Sequence, residues 1–247
     1  MNRNIKYKFQ KFKIIVEIMA NMEEVISKAD KLYEREMLDQ ALPLYLEALK
    51  DLKGEMRPYV LRRIAECYFY KENPEIDNAL RYIEEAIGEG GNFRDRIFHF
   101  MILSEKDPEK AIKEARELLR EAEEKKLEDV LPELYNSIGL LLWGDESEEY
   151  FKRALELSKK VNDLENYVLS LQNLSYLEKE RGNNSKALEY LQEAMKAVED
   201  VMKSLPKSRK KEFIASYSDL YDQAVSLAMD MEDYDLAMEI ANRGKVS

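Results

Sequence analysis

The chain has 247 residues, 45% hydrophobic and 36% charged, with a formal net charge of −11. That acidity argues against general binding to nucleic-acid phosphates, while one cysteine (Cys67) and one histidine (His99) leave no disulfide framework and argue against a zinc site. Only eight glycines and six prolines among many Glu, Lys, Leu and Ala predict an almost entirely helical protein.

Residues 1–21 form a basic lead-in, read as helical or as sequence upstream of a start at Met19 or Met22. Arg3, Lys6, Lys8, Lys11 and Lys13 precede the apolar run Ile14, Ile15 and Val16, which Glu17 interrupts. A secretory apolar core needs roughly 7–15 residues, so this run is too short for one. No later stretch approaches the ~20 apolar residues of a membrane span, which gives the expectation of a soluble, cytoplasmic protein.

From residue 22 onward, paired helical patterns follow one another. Val25, Ala29 and Leu32 share one face of a first helix. Asp39 is expected to cap the second, with Pro43 at the end of its first turn. Leu61, Ile64, Ala65 and Tyr68 make the next stripe, followed by a turn over 71–77. Gly88, Gly90, Gly91 and Asn92 mark the clearest boundary. His99 is expected to fill a gap between helices beside Phe98 and Ile102, with a groove ligand or pH sensor as the alternative. Pro108 can start a helix, and Pro132, Tyr135, Ile138, Gly139 and Leu142 make another before the Gly144–Asp145 turn. Leu171, Leu174 and Leu177 then recur at steps of three, Gly182 to Ser185 break the helix, and Ala187, Leu191 and Ala194 line its partner. The basic run 203–211 reads as a solvated turn around Pro206, with a small nucleic-acid or phosphate contact as the alternative. A long helix over 208–231, with Tyr217, Tyr221, Ala224 and Ala228 inward, and a last one over 234–244 complete the chain.

One pattern unites these pairs. A small residue, an apolar one four later and a small one three further on appear in Ala41/Tyr45/Ala48, Ala79/Ile83/Ala86, Ser147/Phe151/Ala154, Ala187/Leu191/Ala194 and Ala237/Ala241/Gly244. Ala111/Ala115/Leu118 is a weaker copy. Successive sets begin 32 to 50 residues apart, the period of a helical repeat array rather than of a propeller or leucine-rich solenoid.

Over residues 22–247 these sequences resemble the tetratricopeptide repeat family, and Gly139 matches its close-contact glycine. The resemblance implies an all-α, right-handed superhelical solenoid of about six antiparallel helix pairs. It further implies a concave groove lined by the first helices of successive repeats. In this sequence those positions are Tyr59, Arg62, Glu66 and Phe69, then Arg96 and Phe100, then Asn136 and Trp143, then Gln172 and Tyr176. Aromatic and arginine side chains anchor interfaces, and arginine pairs bidentately with carboxylates. The implied partner is another protein or peptide, an acidic or C-terminal segment in particular, not a nucleic acid or a membrane. The family's clamp for chaperone tails wants Lys and Asn where this chain has Ile26 and Asp30. No phosphate-cradling glycine loop or nucleophile elbow occurs, and the expectation is a non-catalytic interaction scaffold without cofactor or metal. A regulatory portion of a larger enzyme and a structural protein that self-associates as a homodimer through the uncapped C-terminal end stay open as alternatives.

Overall fold

The computed structural model describes residue 20, residues 22–142 and residues 144–244, and within these the secondary structure is all-helical. Apart from residue 20, the expected lead-in lies outside the described residues, as does Trp143. The chain divides into two compact units, Met1–Glu114 and Ala115–Ser247.

The first unit contains α1 (residues 22–33), α2 (Leu38–Leu49), α3 (Met56–Tyr70), α4 (Ile76–Gly88), α5 (Phe93–Ser104) and the start of α6 (Pro108–Glu124). Short turns fold consecutive helices back on one another, and α2 packs on α3, α3 on α4 and α4 on α5. Its core joins Ile26, Ala29, Ala41, Tyr45, Ala48, Val60, Ile64 and Cys67. These recur three and four apart because only that spacing keeps side chains on one helical face. Burial pushes the Cys67 thiol up to about 12, so it is a packing residue at neutral pH. At the head of α5, Asn92 accepts hydrogen bonds from the Arg94 and Asp95 amides. The Asn92 amide in turn donates to Asp95 Oδ2 at 2.6 Å, closing a capping box.

The second unit contains the rest of α6, then α7 (Leu131–Leu141), α8 (Asp145–Val161), α9 (Leu164–Glu180), α10 (Asn184–Ser204), α11 (Lys207–Ala215), α12 (Ser218–Asp230) and α13 (Tyr234–Arg243). Its main core runs from Val168 and Leu171 through Ala187, Leu191 and Ala194 to Leu220, Tyr221, Ala224 and Ile240. At Gly139 the crossing of α7 and α8 is so close that an added Cβ would lie 2.5 Å from the Phe151 ring. Glu178, buried near the end of α9, accepts from Lys186 Nζ at 2.7 Å, Asn183 Nδ2 at 2.8 Å and Arg181 Nη1 at 3.1 Å, which ties the α9–α10 turn together. The Lys186 bond is the leading reason that its carboxyl sits below the usual carboxylate range.

Helix ends repeat one device. Glu36, Gly90, Lys126, Asn162, Gly182 and Glu232 all have positive φ. In each case the next amide donates to the carbonyl five residues back, as Met37 does to Leu32 and Asn183 to Glu178. This left-handed closure satisfies carbonyls that the helix end leaves open. It costs ~1–2 kcal/mol wherever the residue is not glycine.

Three expectations need correction. Asp39 does not cap α2: the helix starts at Leu38 after Met37, without a side-chain cap, and Asp39 lies in its first turn. Pro43 consequently sits inside α2, past the first turn, where its missing N–H leaves the Asp39 carbonyl without its helical donor. The helix expected over 208–231 is broken between α11 and α12. Ser216 Oγ donates to the Phe213 carbonyl at 2.7 Å and Tyr217 leaves helical geometry with φ −117° and ψ 19°. Side-chain competition for backbone acceptors of this kind disfavours a continuous helix.

Candidate functional site

In the first unit a polar chain crosses four helices. Asp30 Oδ1 accepts from the Tyr45 hydroxyl at 2.6 Å and the Tyr59 hydroxyl at 2.8 Å. Arg63 donates to Tyr59 and, at 2.9 Å, to Glu66, and its guanidinium lies 4.3 Å over the Tyr33 ring. Arg62 reaches Asp95 at 3.4 Å, and its Nε stands 3.6 Å from Glu66. Burial first, and the neighbouring Glu66 charge after it, push the Tyr33 hydroxyl far above its ordinary range. Asp30 therefore serves as an internal acceptor, and Ile26 is core.

The structure brings Tyr59, Arg62 and Glu66 together in this chain. Phe69 lies beside them on α3, edge-on to both Tyr70 and Phe98. Arg96 stacks over Phe93 at 5.3 Å. Phe100 is fully buried and offers nothing to a ligand, because its step on α5 points into the core. Arg62 stands between Asp95 and Glu66 with its Nε buried and without a hydrogen-bond partner, and Phe93 backs Arg96.

In the second unit Asn136 is also buried. It bonds to the Asn166 carbonyl and Oδ1 at 3.2 Å and accepts from Ser170 Oγ at 3.0 Å, an internal lock between α7 and α9. Gln172 and Tyr176 do line an open surface. They flank a cleft of about 1130 Å³ with α9 on one side, α12 on the other and Leu140 of α7 at one edge. Gln172 Nε2 donates to Gln223 Oε1 at 3.2 Å, and Lys179 pairs with Asp230 at 2.7 Å, bridging the two helices.

Three features mark this cleft. Leu140, Leu169 and Tyr176 expose 54%, 37% and 57% of their surface there, a run of apolar side chains left in water. Asn173, on the lining, has a buried Nδ2 with no hydrogen-bond partner. Burial first, then the charges of Glu165 and Asp163, push the Tyr217 hydroxyl up. Reasoning from sequence missed Asn173. Its signal was available in principle, as it follows the expected Gln172 on the same helix. Among the described residues no group of three or more His, Cys, Asp or Glu side chains is placed to hold a metal ion, and no helix is long and apolar enough to cross a membrane.

Paired helices closed by short turns and packed through small residues define a helical repeat protein. Residues 144–200, which span α8, α9 and most of α10, match the sequence profile of the tetratricopeptide repeat. Solved structures agree. A Rap protein complexed with competence and sporulation factor is 19% identical with a TM-score of 0.60, covering 89% of this chain and 72% of that one. Aspartyl phosphate phosphatase F from Bacillus subtilis is 16% identical with a TM-score of 0.58, over 100% and 78% of the two chains. A signal transduction ATPase with numerous domains and a tetratricopeptide repeat sensor, from Pyrococcus horikoshii, is 17% identical with a TM-score of 0.57. The alignment takes in 92% of this chain but 38% of that one. At these identities the likeness is one of fold, and the fold is of the tetratricopeptide-repeat type. No curated protein sequence matches the chain.

Proposed function

We propose that the chain is a non-catalytic protein-interaction scaffold, its repeat array occupying residues 22–247, and that it binds a segment of a partner protein in the α9–α12 cleft. One observation carries this reading: exposed Leu140, Leu169 and Tyr176 surround a buried, unpaired amide donor at Asn173. Leaving such a donor unmet costs about 1–3 kcal/mol, and a turn of the Asn173 side chain, whose Nδ2 is closed off in the free protein, would let it donate to a backbone carbonyl of a bound segment. The apolar side chains would bury against that segment at roughly 25 cal/mol per Å². The tetratricopeptide fold and the Rap protein, whose structure is of a complex with competence and sporulation factor, support the assignment.

The test is selection of a random-peptide phage library on the immobilised full chain, followed by affinity measurement of the enriched peptides. Asn173→Ala and Leu169→Glu should each weaken those peptides about tenfold or more while leaving the circular dichroism spectrum unchanged. No enrichment on the wild-type chain, or peptides indifferent to both substitutions, would overturn the reading.

A further inference from the structure

The charge of the cleft says more about its occupant. Glu165 and Glu180 project from α9, and Asp219 and Asp222 from α12, all on the lining. Among the described residues none of the four has an ion-pair partner. Lys179, the cation on the lining, is held by Asp230 at 2.7 Å. Carboxylates on both walls of a concavity reinforce one another's field, because its low-dielectric walls focus it. An acidic segment entering here would meet four like charges without compensation. A neutral one would leave those carboxylates partly desolvated and unpaired, a direct cost.

We infer that the cleft takes a cationic, amphipathic segment of a partner protein, with lysine or arginine side chains interspersed among apolar ones. This rests on the cleft being the binding site. The apolar side chains of the segment would cover Leu140 and Leu169. Its cationic side chains would lay their aliphatic stems along the same surface and reach their charged heads to Asp219, Asp222 and Glu165. An arginine would in addition find the face of Tyr176, 57% exposed at the rim. On α3 of the first unit, by contrast, the arginines have carboxylate neighbours, Arg62 with Asp95 and Glu66, and Arg63 with Glu66. This reading is opposite in charge to the acidic segment expected from Arg62 and Arg96.

The peptides enriched on the wild-type chain supply the test. They should carry a clear excess of Lys and Arg over Asp and Glu. Their affinity should fall about tenfold or more on Asp219→Asn/Asp222→Asn and weaken with added salt. Neutralising exposed carboxylates outside the cleft with Glu149→Gln/Glu189→Gln should leave it unchanged, which separates the site from general attraction to an acidic chain. Enriched peptides that lose affinity on Asn173→Ala yet are neutral or acidic would overturn this inference and leave the binding site standing. Equal weakening by the cleft pair and the control pair would overturn it too. Peptides insensitive to Asn173→Ala would remove the site itself.

Discussion

Gly139→Ala tests the packing at its tightest point. An alanine Cβ would stand 2.5, 2.8 and 3.0 Å from three atoms of the Phe151 ring, all inside ordinary van der Waals contact. Phe151 is 97% buried, at 3% exposure, so its ring has no solvent to swing into and α7 or α8 must shift. Overpacking of this kind costs about 1–3 kcal/mol. Alanine's better helix propensity returns about 1 kcal/mol, leaving a net loss of up to about 2 kcal/mol. For a chain of this size that lowers Tm by up to about 8 °C, read by circular dichroism on heating. The double variant Gly139→Ala/Phe151→Leu separates the clash from other effects. With the ring removed the alanine should become neutral or stabilising, giving a favourable coupling of about 1 kcal/mol or more. A Tm that rises in Gly139→Ala alone would refute the close crossing, since propensity would then be acting unopposed.

Two ionisable groups give predictions with opposite signs in pH. His99 stands between Glu114, 2.7 Å from Nδ1, and Glu84, 3.5 Å from Nε2, and the Glu114 hydrogen bond leads in raising its pKa above 6.5. A raised pKa means stability that is complete below the unfolded value and lost as pH climbs through the folded one. His99→Gln should therefore cost about 1 kcal/mol near pH 5.5 and close to nothing at pH 9, measured by urea unfolding. A constant difference across that range would count against the ion pair. Glu178, with its pKa held below 4.5, behaves in reverse: its stabilisation is present above that value and disappears as pH falls through the folded one. Glu178→Gln should cost about 1–2 kcal/mol at neutral pH, with wild type and variant converging on acidification. Parallel curves would place the effect in packing rather than charge.

The interior was legible in the sequence because helical spacing alone decides which residues turn inward. Ala79, Ile83 and Ala86, or Ala187, Leu191 and Ala194, are buried as their three-and-four spacing requires. Gly139 was legible for the same reason: a glycine amid good helix formers marks a place where nothing larger fits. The left-handed helix ends at Glu36, Lys126 and Glu232 were not, because glutamate and lysine carry no conformational signal for positive φ. Nor was the break at Ser216 and Tyr217, which falls in a run without glycine or proline.

The site was harder to read, and the reason is that function here depends on which polar groups remain unsatisfied. Arg62 and Asp95 are 33 residues apart, and nothing local in the sequence announces that they meet. Once they do, an incoming carboxylate competes with Asp95 and Glu66 for the arginine, whose buried Nε still has no hydrogen-bond partner. Asn136 and Asn173 make the same point with a single residue type. Asn166 and Ser170 occupy Asn136 from within, so a ligand adds nothing to it. Asn173 has a buried donor with no acceptor, at the edge of apolar surface and among unpaired carboxylates. A bound segment stabilises the complex only to the extent that it satisfies what the free protein leaves open. Arg62 Nε in the first unit is unmet as well, but the α9–α12 cleft adds exposed Leu140, Leu169 and Tyr176 and four carboxylates without ion-pair partners among the described residues, which is why we propose the cleft as the site and a cationic segment as its partner.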